Sequence, residues 1–286
     1  MGFELQIDTG LNQGFIYFPI FKRNMGNKKK KPILNELFES KNDHVETAEE
    51  INRDEFIKAV KSRRSVRIFN DEPVLEEDMR KCLELALLAP NSSNLQPWEF
   101  YWVRDQNKKE RLVEYCLGQP AAATAQELVV CVARYDFWKV NAERMLQLFR
   151  EKGDKIPKSA KIYYEKIVPL AYSQGPLGSF GILKKLIVFF RGMSVPTPRE
   201  PGSRNDMKIW AQKSTALACQ NLMLSLRAFG YDSCPMEGMD SKRIKQLLEL
   251  PRKAQICMVI SAGKRAENGV YGEQVRFDSN LFIKTV

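Results

Sequence analysis

The spacing of apolar and polar positions predicts two helices on either side of the segment "RRSVRIFNDEP". In "RDEFIKAVKSRR", apolar residues recur at helical spacing at Phe56, Ile57 and Val60. "VLEEDMRKCLELALLAP" has acids in its first turn and an apolar stripe at Met79, Leu83, Ala86 and Leu87. The second helix should end before Pro90, because the residue that precedes a proline disfavours the α-helical region.

The rest of the chain alternates between extended patterns and one long helical pattern. "WEFYWVR", "ELVVCVARY" and "AQICMVISAG" are short and rich in aromatic or β-branched residues, which predicts strands. "DMKIWAQKSTALACQNLMLSLRAFG" predicts a largely buried helix closed by Gly230, and "SKRIKQLLEL" predicts a short one. This order favours an α+β domain with helices against one mostly antiparallel central sheet.

Three regions are expected along the chain. Residues 1–50 form an N-terminal arm that is ordered only if it packs on something, and residues 51–286 form one domain. Residues 139–205 interrupt that domain with short helical pieces between Pro and Gly breakers, an arrangement that often covers a binding site. We call this segment the insertion. Three roles are considered for its stretch "ILKKLIVFFRGM". The first in rank is packing against a partner subunit, the second is covering a pocket, and the third is lying on a membrane surface.

Composition narrows the function classes. The chain has 286 residues, 44% of them hydrophobic, and six scattered cysteines, which predicts a globular cytoplasmic protein with reduced thiols. Its single histidine, His44, lies in a polar run, so histidine triads, zinc hydrolase sites and other metal sites are not expected. No apolar run reaches the length of a membrane span.

The net charge of +10 is concentrated in two places. The insertion holds 13 Lys or Arg and 5 Asp or Glu, a net of +8, and Lys28 to Lys31 add four charges near the N-terminus. A basic nucleic-acid or membrane-surface protein is therefore one alternative, but it leaves the polar loops of the domain unexplained.

Candidate ligand contacts occur in two segments of the first half of the chain. In "SRRSVRIF", an extended backbone would point Arg63, Ser65 and Arg67 to one side. Such a group could bind a phosphate, and a solvated basic turn at the end of a helix is an equal alternative. "APNSSNLQPWEF" offers amides and hydroxyls suited to a planar heteroaromatic ligand, although a plain turn would also contain them, and Trp98 is expected in the core.

Two further candidate segments lie near the C-terminus. In "SCPMEGMD", Pro235 and Gly238 predict an irregular turn with free backbone N–H groups, and the Glu237 carboxylate is expected in solvent. The segment "SAGKRAENGVYGEQVRF" supplies a second set of candidate cations for a ligand, namely Lys264, Arg265 and Arg276. Their spacing does not decide which of them faces inward.

Taken in order, these segments strongly resemble the nitroreductase family of FMN-dependent oxidoreductases, which includes flavin-dependent dehalogenases. The resemblance covers about residues 54–138 and 206–280. It implies a homodimer with shared active sites, FMN as cofactor, NADH or NADPH as donor, and ping-pong reduction of nitroaromatic, quinone or similar planar acceptors. The alternative within the family is a specialised reductive dehalogenase or flavin-modifying enzyme.

The resemblance also assigns cofactor-binding residues. It implies that the phosphate and ribityl end of FMN is held by Arg63, Arg64, Ser65, Arg67 and Arg276. It implies that a loop reaches the partner subunit's flavin with Pro90, Asn91, Ser92 and Asn94. It implies that the amide of Gln119 faces the pyrimidine edge of the flavin. It also implies a turn whose backbone N–H groups lie near flavin N5 and O4, formed by Pro235, Met236, Glu237 and Gly238. No side chain is expected to be an obligatory acid or base.

The sequence departs from its relatives at two of these places. Asn91 stands where relatives often have Ser, and Ala122 stands where some relatives place a Lys near the pyrimidine. Without that cation, the reduced flavin would lose one source of stabilisation, which bears on the preferred acceptor. The insertion is also longer than in the small members of the family.

Overall fold

The computed structural model describes residues 45–153, 156–175 and 179–286. The predictions for His44, for Lys28 to Lys31 and for the apolar run of the arm lie outside these residues. Residues 45–50 have no regular structure and are exposed.

The described residues form a four-stranded sheet with helices around it. The strands are β1 (Trp98–Trp102), β2 (Glu127–Arg134), β3 (Asp232–Met236) and β4 (Ala254–Gly263). The helices are α1 (Arg53–Ser62), α2 (Glu76–Ala86), α3 (Gln106–Tyr115), α4 (Pro120–Ala123), α5 (Phe137–Lys152), α6 (Lys158–Ile162), α7 (Val168–Tyr172), α8 (Ser179–Gly192), α9 (Arg204–Ala228) and α10 (Ser241–Leu247).

The sheet has the order β1-β2-β4-β3, and all of its strand pairs are antiparallel. The predicted α+β class and antiparallel sheet are therefore confirmed, and β1, β2 and β4 coincide with the three predicted strands. The prediction of an irregular turn at Pro235 was wrong, because this residue and Met236 lie in β3. Of the strands of the described sheet, β3 pairs with β4 alone, and a strand at the sheet edge tolerates a residue without an N–H donor.

Helix α9 is the central helix of the core. It begins at a cap in which the Ser203 hydroxyl accepts a hydrogen bond from the Asp206 N–H at 3.2 Å. It ends at Ala228, and Gly230 closes it as predicted with a φ of 82°, which is favourable for glycine. The Tyr231 N–H donates to the Leu226 carbonyl at 2.8 Å across this turn. Ten of its 25 residues are buried, which confirms the expected burial.

The insertion is more regular than expected. Instead of short pieces, it contains the 16-residue helix α5, the 14-residue helix α8 and a run of α6, a π-helical segment (Tyr163–Ile167) and α7. Tyr164, Val168 and Tyr172 pack with Trp210 of α9 and Leu95 in one apolar cluster. The insertion is thus packed on the domain through the loop that follows α2.

Helix α1 forms as predicted, yet none of its residues is buried. Phe56, Ile57 and Val60 are 56%, 40% and 43% exposed, so its apolar face lies on the surface. Leu87, the last residue of the predicted α2 stripe, directly follows the helix and is 46% exposed. All six cysteines are free thiols, as predicted. Among the described residues, no helix combines the length and the apolar content needed to cross a membrane.

Candidate functional site

Five predicted residues surround one cavity of about 330 Å³. They are Arg63, Arg64, Ser65, Arg67 and Arg276, and we call this group the cradle. Four arginines therefore line one cavity, and Glu273 is the one acidic residue among the described residues that line it. Because guanidinium groups bind the oxygens of a phosphate with paired hydrogen bonds, the cradle is suited to a phosphorylated ligand.

Hydrogen bonds to backbone carbonyls hold the two chain segments of the cradle together. The Arg67 N–H donates to the Gly269 carbonyl at 2.7 Å, and the Arg64 guanidinium donates to the Gly272 carbonyl at 2.5 Å. Ser65 forms an isolated parallel bridge with Ser233, the second residue of β3. The cradle residues therefore come from an extended segment next to the sheet edge and from the C-terminal tail that runs beside it.

The other two candidate cations lie outside the cradle. Arg265 binds the buried carboxylate of Asp232, with Nε–Oδ2 and Nη2–Oδ1 distances of 2.7 and 2.5 Å, and this pairing raises the pKa of the guanidinium. Lys264 donates to the Gly230 carbonyl at 2.9 Å and lies over the Tyr231 ring. Both side chains are therefore bound to other parts of the chain, and of the three candidates Arg276 alone lines the cavity among the described residues.

Gln119 and Gly238 are in direct contact. The Gln119 amide nitrogen donates to the carbonyl oxygens of Cys116 and Gly238, at 2.9 and 2.7 Å. Gln119 therefore fixes the position of the turn that follows β3, and its carbonyl oxygen is the atom left for a ligand. Among the described residues, the backbone N–H groups of Glu237 and Gly238 donate no backbone hydrogen bond, and both residues are exposed as expected.

The loop of residues 90–96, called here the amide loop, has a strained backbone. Ser93, Asn94 and Gln96 have φ values of 58°, 45° and 44°, a region that non-glycine residues seldom occupy. Asn91 stabilises this conformation, since its Oδ1 accepts from the Gln96 N–H at 2.7 Å and its Nδ2 donates to the Ala89 carbonyl at 3.3 Å. Both ends of the Asn91 side chain are thus hydrogen-bonded to the backbone, one within the loop and one at Ala89 just before it.

Three tyrosines of the insertion, Tyr163, Tyr164 and Tyr172, contact the amide loop. The Ser93 hydroxyl lies 2.7 Å from the Tyr163 hydroxyl and 3.1 Å from the Tyr172 hydroxyl, and the Ser92 hydroxyl lies 2.9 Å from the Tyr172 hydroxyl. The Tyr164 hydroxyl donates to the Ser93 carbonyl at 2.7 Å. We call these residues the tyrosine group.

The π-helical segment explains how consecutive residues reach the same serine. Its wider turn changes the angle between successive side chains, and the rings of Tyr163 and Tyr164 are packed edge to face at 5.5 Å. Burial raises the pKa of Tyr164 to about 12, so its hydroxyl is protonated near neutral pH and is a hydrogen-bond donor.

The structure brings the predicted residues together in three groups. The first is the cradle, the second is Gln119 with the turn at Gly238, and the third is the amide loop with Pro90, Asn91, Ser92 and Asn94. β3 joins the first two, because Ser233 lies beside Ser65 and Gly238 follows the strand's other end. The amide loop makes no hydrogen bond to either group among the described residues.

Sequence reasoning did not identify the tyrosine group or the Asp232 ion pair. The only sequence signal for the first was the cluster "YYEKIVPLAY" in a region predicted to be irregular. Ala122, discussed as a departure, is fully buried in the core beneath β2 and β4. Trp98 is 6% exposed, which confirms its expected place in the core.

Known proteins resemble this chain in both sequence and fold. The family model described as Nitroreductase family matches residues 60–264. The chain is 30% identical over 211 residues to Protein DrgA of Synechocystis sp., covering 73% of this chain and 84% of that one. It is 28% identical over 213 residues to an NADH dehydrogenase of Thermus thermophilus, covering 74% and 87%.

One solved structure of an Exiguobacterium sibiricum protein in complex with FMN has the same fold. Its TM-score to this chain is 0.61 at 23% sequence identity, and the match covers 85% of this chain and all of that one. The chain therefore shares the fold of this FMN-binding protein.

Proposed function

The chain belongs to the nitroreductase family, and we propose that it is an FMN-dependent homodimeric enzyme that uses NAD(P)H to reduce nitroaromatics, quinones or similar planar acceptors by a ping-pong mechanism. The observation that carries this proposal is the cradle, where four arginines and a serine converge on one cavity. A relative is named an NADH dehydrogenase, and a structural neighbour binds FMN, which supports the donor and the cofactor.

The spacing of the first two groups of site residues fits FMN. From Ser233 beside the cradle to Glu237 after β3 there are four residues, or about 13 Å of extended chain. In FMN a five-carbon chain joins the phosphate to the ring system, and the chain and the ring together cover a distance of this order. We infer that the flavin lies along β3, with its ring next to Gln119 and Gly238.

The protein's contribution is to hold and orient the cofactor. The chemistry that FMN supplies when bound is transfer of a hydride equivalent from NAD(P)H to the acceptor. The cradle holds the phosphate, and the N–H groups of Glu237 and Gly238 are proposed donors to the ring. Gln119 keeps that turn in place through the Gly238 carbonyl. These donors are positioned before the ligand binds, so little reorganisation is needed.

The homodimer is supported by apolar surfaces that this chain leaves exposed. Phe56 of α1 is 56% exposed, and Ile209 and Leu217 of α9 are 54% and 48% exposed. The tail from residue 271 onward is exposed throughout and includes Phe277 and Phe282, at 76% and 69%. Large exposed apolar side chains of this kind are typical of an interface between subunits, which supports the proposed dimer. We propose that the amide loop meets the flavin of the partner subunit across it.

The phosphate assignment can be tested by comparing FMN with riboflavin, which lacks the phosphate. Calorimetric titration of the flavin-free protein should show that Arg67→Gln weakens FMN binding by about tenfold or more, since a charged hydrogen bond contributes about 1.5–3 kcal/mol. Riboflavin binding should change little. Arg243→Gln, an exposed change on α10, is the matched control.

Two results would contradict the proposal. The first is a purified protein that is colourless and binds no FMN. The second is an Arg67→Gln variant that weakens FMN and riboflavin binding equally, because the arginine would then not act through the phosphate. The ping-pong mechanism requires parallel double-reciprocal plots when NADH or NADPH is varied at several fixed concentrations of a quinone, and intersecting lines would exclude it.

A further inference from the structure

Helix α8 presents a stripe of large apolar side chains to the surface. Among the described residues of this helix and its end, these side chains are 53–67% exposed: Leu186, Ile187, Phe189, Phe190 and Met193. At about 100° per residue, the five positions fall within one arc of about 160°. We call this set the outer stripe. Soluble domains seldom leave so many neighbouring large apolar side chains in contact with water.

The opposite side of α8 is fixed to the protein, so the stripe cannot turn inward. A Cβ at Gly181 would lie 2.8 Å from the Gly202 carbonyl oxygen and 3.0 Å from Gln174 Oε1, so only glycine allows this close approach. Lys184 donates hydrogen bonds to the carbonyl oxygens of Ala171 and Ser173 at the end of α7. Gly181 and Lys184 lie opposite the centre of the outer stripe, about half a helical turn away.

Cations lie along both edges of the outer stripe. Lys185 and Arg191 are each about 40° beyond one edge of the arc, and both are exposed. The stem of Lys185 lies beside Gly202, and the guanidinium of Arg199 lies near Gly192. The sequence from Lys166 to Arg199 contains no Asp or Glu. The surface around the stripe is therefore apolar in the middle and positive at its margins.

We propose that α8 docks on the surface of an anionic lipid bilayer, with the outer stripe in the acyl boundary and the cations at the headgroups. A helix with aromatic and aliphatic residues on one face and Lys or Arg beside it is the usual form of an interfacial anchor. This inference goes beyond the proposed function, because it does not depend on flavin binding or on the acceptor.

Charge distinguishes this occupant from two others. If α8 paired with α8 of a second copy about a twofold axis, the positive margins of both helices would meet with no acid in the segment to offset them. A nucleic acid would be attracted by the cations but would leave the apolar stripe without a partner. An anionic bilayer satisfies both features at once.

The test is co-sedimentation of the full-length FMN-loaded protein with vesicles. We expect binding to vesicles of phosphatidylcholine mixed with phosphatidylglycerol, and much weaker binding to phosphatidylcholine alone. Phe190→Glu should weaken binding by at least about tenfold, because it removes apolar burial and adds a repelled charge. Lys185→Gln and Arg191→Gln should each weaken binding about fivefold.

The matched controls are changes of the same kind elsewhere on the surface. Leu148→Glu replaces another exposed apolar residue of the insertion, on α5, and Lys108→Gln removes an exposed cation on α3. Both should bind vesicles as the unchanged protein does. Flavin content and melting temperature show whether each variant is folded. A second measurement uses Phe189→Trp, whose emission should shift to the blue and be quenched by brominated lipid.

Three outcomes overturn the proposal. One is no binding to either kind of vesicle. Another is equal loss of binding in Phe190→Glu and Leu148→Glu, or a loss only in the charge variants, because the outer stripe would then not insert. The third is a fall in the oligomeric mass of Phe190→Glu when the unchanged protein does not bind vesicles, which would assign the face to a second copy.

Discussion

Replacing Tyr164 with phenylalanine tests whether the insertion holds the amide loop. The Tyr164 hydroxyl donates to the Ser93 carbonyl at 2.7 Å, and the side chain is 7% exposed. The change leaves that carbonyl without this donor in a part-buried place, which costs about 1–3 kcal/mol rather than the smaller contribution of a solvated hydrogen bond. We therefore expect the free energy of unfolding to fall by about this amount at neutral pH.

The Tyr164 hydroxyl should also make the stability of the protein depend on pH in the alkaline range. Burial raises the pKa of Tyr164 from 10.0 to about 12. Between these values the unfolded chain releases the proton while the folded chain keeps it, so the folded state binds more protons and its stability falls as pH rises. The contribution is fully present below pH 10 and is lost through about pH 12, and two pH units correspond to at most about 3 kcal/mol.

Urea denaturation at neutral pH and at several alkaline values measures both effects. Tyr164→Phe should lower the stability at neutral pH and should also flatten its decline between pH 10 and 12. Tyr135→Phe is the control, since Tyr135 packs on the same apolar cluster and its hydroxyl makes no hydrogen bond among the described residues. A change below about 0.5 kcal/mol at neutral pH, or an unchanged alkaline decline, would refute the reasoning.

Three further changes test other parts of the site. Asn91→Ser removes the acceptor of the Gln96 N–H, so a loss of about 1 kcal/mol by thermal unfolding and weaker FMN binding by titration are expected, whereas unchanged values would make this departure from relatives neutral. Asp232→Asn should cost about 2–3 kcal/mol in urea denaturation, because Arg265 loses its partner while remaining partly screened by solvent. Ala122→Lys should give little folded protein by circular dichroism, since it puts a charge into a fully buried position, and a folded variant with a shifted flavin potential would contradict this.

The sheet shows where sequence patterns were sufficient. β1, β2 and β4 were predicted because their aromatic and β-branched runs have no competing interpretation. β3 was missed because Pro235 argues against a strand, and its position at the sheet edge depends on pairing with β4, far along the chain. Local propensity cannot reveal an edge that is created by long-range pairing.

The grouping of some candidate residues could also be predicted, although their roles remain proposals. The five cradle residues were identified together because the motif "RRSVR" is continuous and Arg276 follows from the family resemblance. Arg265 could not be separated from Arg276 by spacing, since its partner Asp232 lies 33 residues away and becomes buried only when β3 and β4 pair. Arg276 lines the cavity and Arg265 does not, because Arg265 is paired with the buried Asp232, and the sequence does not reveal that pairing.

The insertion connects the amide loop with the outer stripe of α8 through a continuous set of contacts. Its inner side holds the amide loop through the tyrosine group, and the same run of helices ends at the Ala171 and Ser173 carbonyls that bind Lys184 of α8. A displacement of α8 would therefore shift α7 through the hydrogen bonds of Lys184. It would then shift the amide loop through the contact between Tyr172 and Ser92. If α8 docks on a bilayer and the amide loop meets a flavin, vesicles should alter the kinetics of the unchanged protein, and Lys184→Met should weaken that effect while leaving vesicle binding in place. Vesicle binding without any kinetic effect would show that the two faces of the insertion act independently.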